Sequence, residues 1–515
     1  MKRRSRSVLR TSAVAIGCLM VAAACSTLGL TDSGGGAGAG DPATPVTAAD
    51  GSIIVGGSVV EEDETIEDLE AQWAAQRGRV VDSLSGGSYG VGPDDILRGP
   101  GRMEIDLDDC PREWDDVEGL SSTTIKVGMI VAQSGQLSSF RLVADGMQAY
   151  FDYVNENGGI DGRRIQMVLR DDTYDPGVAQ AAVEDLLETE QPFMVMSVGS
   201  PGSLAVYDDL NDACVPHPYV VSGHPAWGDP EQHPFTTGFQ LSYTTEAIMW
   251  GSWIRANLAG STPVRVAALV SNNDFGRIYA DAFENWAEAN PDVVSEVEFV
   301  RHPPAALDVV DEMEEIAELQ PQVFISMTTG QPCISAVAEA ERLGLTDRAL
   351  ALFNPSVCKQ PSSYMVPLGN AGDQFLVVGS GMKSTADPAF EDDTFVEFVN
   401  TRLEESGLDP DQMLVAIGFA QYGWAQVETL RLASALPGGL SRSNLTLAMR
   451  NIDLQHPMLF DGVRFSTEGF RDAFVIEGAE VSRYNAAERA WFQEGAPIDL
   501  NGTSPFCTWD ELRCR

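Results

Sequence analysis

From residue 124 onward, short apolar runs alternate with amphipathic stretches. IKVGMIVA (125–132) reads as a buried strand, and GMQAYFDYVNEN (146–157) as a helix stopped by Gly158 and Gly159. RIQMVLRDD (164–172) is the next strand, and DPGVAQAAVEDLLE (175–188) a helix that opens on Asp-Pro. FMVMSVGS (193–200) and PYVVSG (218–223) follow as strands, and the beat resumes with VRVAALVSN (264–272), QVFISMTTG (322–330) and FLVVGSG (375–381). Buried strands separated by helices predict parallel sheets in an α/β fold. The pattern runs too long for one ordinary core, so it predicts two lobes.

The sequence ahead of residue 124 has a different character. MKRRSRSVLR (1–10) is basic, TSAVAIGCLMVAAA (11–24) is apolar and ends in small residues, and Cys25 and Ser26 follow. This is the pattern of a secretory signal, and its apolar run falls short of the ~20 residues a bilayer span needs. A cysteine placed right after the small residues resembles the lipobox of bacterial lipoproteins. The resemblance implies cleavage before Cys25 and acyl chains on that residue, with several chains giving stable anchoring. Residues 25–60, with GGGAGAG at 34–40, read as a flexible tether. TIEDLEAQWAAQRGRVVDSL (65–84) is a helical candidate with its acidic residues early and arginines later. Residues 61–122 are an appendage to which the pattern assigns no role.

Composition narrows the choices. The chain has 515 residues, a formal charge of −43 and only four lysines: Lys2, Lys126, Lys359 and Lys383. Such a surface repels nucleic acid and anionic headgroups, so a membrane would be met through the lipid anchor only. Cys110, Cys214, Cys333, Cys358, Cys507 and Cys514 form an even set in an exported chain, which points to disulfides. No CxxC, HExxH or P-loop pattern is present, and His217, His224 and His233 are too widely spaced for one helical face. The expectation is a protein without enzymatic activity, metal or cofactor.

Several segments, in order, resemble the type I periplasmic binding proteins of the branched-chain amino acid class, the ligand receptors of ABC importers. They are IKVGMIVAQSG (125–135), FDYVNENGGIDGRRIQMVLRDDTYDP (151–176), FMVMSVGSPGS (193–203) and VSNNDFGRIYADAF (270–283). The resemblance implies two Rossmann-like lobes with parallel sheets joined by three crossovers, near Gln240, Gly379 and Phe460. Lobe one would be 123–240 plus 380–458, lobe two 241–379 plus 459–490, and 491–515 a tail carrying a cysteine pair. Ligands of open α/β sheets sit at the carboxyl ends of strands. The implied ligand contacts are Ser134, Phe140, Ser200, Gly223 and His224 on lobe one, and Phe275, Thr329, Gly330, Gln331 and Asn354 on lobe two. Ser200 matches the serine that holds a ligand carboxylate, and Phe140 and Phe275 would cover the ligand from opposite lobes.

One departure bears on the ligand. The stretch where amino acid binders place an acidic residue for the ligand's ammonium group reads FNPS (353–356), with no carboxylate. A desolvated ammonium without a counter-charge is costly, so a neutral amide or small carboxylate fits better. The expected function is capture of a small polar solute (amino acid, amide or small carboxylate) and delivery to ABC permease subunits. The alternative is a sensory receptor handing ligand state to a signalling partner. Cys333 and Cys358 bracket one helix-plus-strand unit and are expected to bond. Cys507 with Cys514 would leave Cys110 with Cys214.

Metabolic labelling with a palmitate analogue is expected to mark the wild-type chain and not Cys25→Ala. Equal labelling of both would remove the lipid anchor.

Overall fold

Thr65 caps α1 (Ile66–Ser85): its side chain accepts from Asp68 N–H at 3.2 Å, and the Asp68 carboxylate accepts from Thr65 N–H at 3.0 Å. The computed structural model describes residues 64–501 apart from Gln136, Ala259 and Ser261, with the short strand pairs Val46–Thr47/Ile53–Ile54 and Cys507–Thr508/Arg513–Cys514. Cys25 and most of the tether lie outside the described residues. After α1 comes an antiparallel ladder of β1 (Gly90–Val91), β2 (Ile96–Arg98) and β3 (Glu104–Asp106). Trp73, Val80, Leu84, Leu97, Met103 and Ile105 all join the core of the lobe that follows. The segment that sequence alone leaves as an appendage is thus packed into that lobe.

The first lobe alternates strand and helix as the apolar pattern predicts. Its elements are β4 (Thr124–Val131), α2 (Arg141–Glu156), β5 (Arg164–Asp171), α3 (Pro176–Asp185), β6 (Met194–Ser197), α4 (Ser200–Ala205), α5 (Tyr207–Asp212), β7 (His217–Val220) and β8 (Thr236–Gly238). β5, β4 and β6 pair in parallel, β8 pairs parallel to β7, and a parallel bridge between Val198 and Val221 links the two groups. Ile125, Val127 and Met129 to Val131 are fully buried, as a strand covered on both faces requires.

The chain then enters α6 (Tyr243–Leu258) and builds a second sheet. It comprises β9 (Val264–Ser271), α7 (Asp274–Ala289), β10 (Val294–His302), α8 (Val310–Glu318), β11 (Val323–Met327), α9 (Gln331–Arg342), α10 (Leu345–Arg348), β12 (Ala351–Asn354) and β13 (Leu376–Gly379). The order β10-β9-β11-β12-β13 is parallel throughout. The chain next returns to the first lobe as α11 (Thr394–Glu405), α12 (Met413–Ile417), α13 (Trp424–Ala435) and α14 (Arg442–Met449), then β14 (Asp453–Leu454) paired with β15 (Phe465–Ser466). It finishes on the second sheet, where β16 (Gly478–Asn485) runs antiparallel to β13, and β17 (Ala490–Gln493) and β18 (Ile498–Asp499) pair with β16.

Three passages therefore connect the lobes. The first lies at Gln240–Leu241 and the second at Gly379–Met382, near the expected positions. The third, expected near Phe460, falls at Ile476–Gly478, because Phe465, Val475 and Ile476 pack in the first lobe's core before β16 begins. Cys333–Cys358 ties the start of α9 to the turn after β12, and Cys110–Cys214 ties the α1 layer to the turn ahead of β7. The side chains of Cys507 and Cys514 lie outside the described residues.

Trp73 is 3% exposed and stands edge-on to Phe395 at 5.6 Å and Trp424 at 5.4 Å. Trp73→Ala is expected to destabilise the first lobe by about 3–5 kcal/mol. Denaturant unfolding followed by circular dichroism checks it, and an unmoved midpoint would show that α1 is not part of that lobe's cooperative unit.

Candidate functional site

Between the two sheets lies a cavity of about 850 Å³ whose wall draws on both lobes. Loops at the carboxyl ends of first-lobe strands supply Phe140, Tyr174, Ser200 and Val221. Second-lobe loops supply Phe275, Thr329 and Ser356, and the first two passages supply Gln240, Leu241, Gly379 and Ser380. This is where open α/β sheets take ligands.

The first-lobe wall follows from local backbone demands. Gly199 has φ of +91°, and a side chain there would strike the Tyr174 ring. Tyr174 packs edge-on against Phe140 at 5.6 Å, so the two rings hold each other on the cavity wall. Ser200 is buried at the start of α4, and its hydroxyl shares a 2.8 Å hydrogen bond with that of Ser222. On the other side, Asn273 caps α7 by accepting from Gly276 N–H at 3.1 Å. That cap sets Phe275 edge-on to Tyr243 at 5.1 Å. Tyr243 donates to Gln240 Oε1 at 3.3 Å, and burial pushes its phenol up to about 12, so it stays a neutral donor.

A carboxyl does stand behind the FNPS stretch. Glu246, on the first turn of α6, is fully buried. Its Oε1 accepts from Ser356 N–H at 2.7 Å, and its Oε2 accepts from Ser356 Oγ at 2.8 Å and Tyr279 Oη at 2.6 Å. Burial pushes it up to about 7. It positions Ser356 on the wall and does not line the cavity itself.

Two lysines line the same cavity. Lys359 pairs with the buried Glu480, and its ammonium lies 6.0 Å from the centre of the Phe460 ring. Lys383 donates to Asp393 at 2.6 Å and to the Pro457 carbonyl at 3.1 Å. From the pair the wall continues into an apolar stretch of Met382, Phe390, Met413, Leu414, Met458 and Phe460. The arrangement can bind, orient and desolvate a solute with both a polar and an apolar part.

Of the residues expected from sequence, Phe140, Ser200, Phe275 and Thr329 reach this cavity. The others lie off its wall. Ser134 is turned to Asp171, donating at 2.6 Å. Gly223 is covered by Leu241 and Tyr243, with its carbonyl accepting from Tyr243 N–H at 2.7 Å. His224 is buried, its Nδ1 accepts from Ala226 N–H at 3.2 Å, and burial pushes its imidazole down to about 3. Gly330 and Gln331 form the α9 start outside the wall, and Asn354 is buried at the end of β12 beside Met365. Sequence reasoning missed Tyr174, Tyr243 and the apolar stretch. Lys359 and Lys383 carried a signal, since lysine is scarce in this chain.

Two α/β lobes with a solute-sized cleft at their strand ends define a two-lobed binding protein. The sequence profile of the periplasmic binding protein family matches residues 124–471, and the chain belongs to that family. The fold is similar to a fatty acid ABC transporter substrate-binding protein from Thermomonospora curvata, with a TM-score of 0.62 at 18% identity, covering 79% of this chain and 96% of that one. It is also similar to a branched-chain amino acid ABC transporter protein from Thermus thermophilus with bound valine (TM-score 0.62, 15% identity, 74% and 97% covered). A third is a solute-binding protein of an ABC transporter from Rhodopseudomonas palustris BisB5 in complex with 3,4-dihydroxybenzoic acid (TM-score 0.59, 18% identity, 73% and 98% covered). No curated protein matches the chain.

Because Glu246 sits at about 7 in the folded protein against 4.5 as a free side chain, the native state holds the extra proton. Its stabilising contribution is full below pH 4.5 and is lost as pH rises through 7. Glu246→Gln keeps an acceptor for Ser356 N–H and removes the titration. It is expected to remove about 3 kcal/mol of pH-dependent stability across that window. Urea unfolding at a series of pH values checks this. Parallel profiles for variant and wild type would show that Glu246 is ionised in the native state.

Proposed function

We propose that this chain is an extracytoplasmic solute-binding protein, tethered to the membrane through acylated Cys25, that closes its two lobes on a small solute and presents it to the permease of an ABC importer. One observation carries the reading: a single cavity of about 850 Å³ is walled by strand-end loops of both lobes and reaches two of the three passages between them. A solute there touches both lobes at once, so it binds the closed form better than the open one and shifts the population toward closure. Solved proteins of similar fold include a fatty acid ABC transporter substrate-binding protein, one with bound valine and one in complex with 3,4-dihydroxybenzoic acid, which favours solute capture as the shared task and leaves the solute to be set by this chain's own wall. Among the described residues no helix is long and apolar enough to cross a membrane, in keeping with attachment through the amino-terminal lipid.

In this reading Ser200, backed by the Ser222 hydroxyl and with Tyr243 and Gln240 beside it, meets the polar end of the solute, and Phe140 and Phe275 cover it from opposite sides. Solutes released from the denatured protein are to be identified by mass spectrometry and titrated back by calorimetry. Ser200→Ala is expected to weaken binding roughly ten- to a hundredfold, because a buried ligand group loses its partner. Small-angle scattering should show a smaller radius of gyration with solute bound. Unchanged affinity would move the site, and consumption of the solute during titration would replace the binding reading with an enzymatic one.

A further inference from the structure

Resting on the binding-protein reading, we propose that the solute is an amphipathic monocarboxylate: Lys359 receives its carboxylate, and the apolar stretch built from Met382, Phe390, Met413, Leu414, Met458 and Phe460 receives its body. Three observations converge on this.

The first concerns charge. The chain carries −43 and has four lysines, yet two of them line this cavity. They are not equivalent. An ammonium has three N–H donors. Lys383 spends two, on Asp393 and the Pro457 carbonyl. Lys359 spends one, on Glu480, and is partly exposed toward the cavity. Glu480 is fully buried and also accepts from Gly381 N–H at 2.5 Å, so Lys359 is aimed by a fixed anchor while retaining donors for a ligand.

The second concerns what an amino acid would need. Its ammonium group requires a carboxylate facing the cavity. Glu246 stands behind Ser356 with both oxygens engaged by the protein. Asp387 lines the wall but accepts from Ala389 N–H at 3.0 Å, closing its own turn. Asp461 and Glu488 line the water-exposed rim, where charge is screened. Among the carboxylates lining the cavity a ligand cation therefore finds only Asp387 away from the rim, with one oxygen already held in its own turn, and at Lys359 it meets repulsion.

The third is shape. The apolar stretch begins at the Phe460 ring, over which the Lys359 ammonium sits, and continues past three methionines. Methionine side chains adapt to irregular or flexible apolar partners. A cavity of about 850 Å³ is near the upper end of the roughly 300–1,000 Å³ usual for small-molecule sites, and an amino acid would leave most of it empty. A charged head at Lys359 and a tail among the methionines use both features together.

Calorimetry on the purified full chain with decanoate, decanamide, decyltrimethylammonium and leucine tests the proposal. Decanoate is expected to bind at least about tenfold tighter than decanamide, the weight of one charge-assisted hydrogen bond. The cation and leucine should give no binding heat. Lys359→Met alone strands a buried carboxylate and risks misfolding, so the variant of choice is Lys359→Met/Glu480→Gln, which should bring decanoate and decanamide within about threefold of each other. Met413→Trp, filling the apolar stretch, should weaken decanoate at least about tenfold. Equal affinity of the wild type for decanoate and decanamide would overturn the role of Lys359. Binding of leucine in place of decanoate would overturn the solute class while leaving the binding-protein reading intact. Silence of the whole panel would overturn the solute class as well. Failure of the binding-protein reading would show differently, as a bound solute consumed or lobes that never close in scattering.

Discussion

The buried carboxylate of Glu480 is the point on which the cleft floor depends. It projects from β16 beside Gly379, the last residue of β13, and a side chain at Gly379 would collide with it. One oxygen accepts from Gly381 N–H in the second passage, and the other meets Lys359 from the loop after β12. The Lys359 carbonyl in turn accepts from the Trp491 indole on β17. One charge thus fastens a passage, an antiparallel strand, a cleft loop and the β16–β17 hairpin. Such a pair is poor evidence for stability, since desolvation consumes most of the Coulombic gain. Its value here is positional: with either partner missing, the other charge is stranded in the protein.

The same logic operates at larger scale in the first lobe. Glu428 on α13 is fully buried and meets Arg77 of α1 and Arg431 of its own helix, while Arg431 also reaches Glu70 at 3.0 Å. α1 therefore fixes α13 by charge as well as by Trp73. Arg442 does the corresponding work at the other end, bonding the Pro192 and Phe193 carbonyls and Glu118 from a buried position. These contacts make residues 64–122 a structural part of the lobe whose α12 supplies Met413 and Leu414 to the cavity. A layer added outside the family's matched span, 124–471, supports the helices beneath which the solute would lie.

The strands were legible because burial on both faces leaves an unbroken apolar run, and β4, β9 and β11 show it plainly. The carboxyl-end rule points to Phe140, Ser200, Phe275 and Thr329, and all four line the cavity. It failed for His224 and Asn354, because position after a strand does not say whether a loop side chain turns outward or folds back to close its own turn. His224 caps the turn at Ala226, and Asn354 is swallowed by the second core. Glu246 was illegible for a different reason. It lies more than a hundred residues from Ser356, on a helix whose pattern shows only that one acidic residue is buried, and nothing local states its partner. The third passage was misplaced because the β14–β15 hairpin, too short for a periodic signal, holds the chain in the first lobe until Ile476.

Closure has to draw its energy from contacts that exist only when the lobes meet. Here the cavity also touches the passages themselves: Tyr243 follows the first directly, Gly379 and Ser380 belong to the second, and Lys359 is bound to Glu480 just past the third. A further link crosses the hinge, where Asn501 accepts from the Ser466 hydroxyl at 2.7 Å and Leu500 N–H bonds the Glu477 carbonyl. On the proposed reading, a solute seated against these elements would hold the passages as well as bridge the faces. If the proposed solute binds there, discrimination would fall on its polar head, because Tyr243 directly follows the first passage and Lys359, in the loop after β12, is held by Glu480 just past the third, whereas the methionine stretch would tolerate variation in the tail. On that proposal an exacting contact near the passages would be paired with an adaptable apolar one beyond it, and the division would follow from where Glu480 is buried.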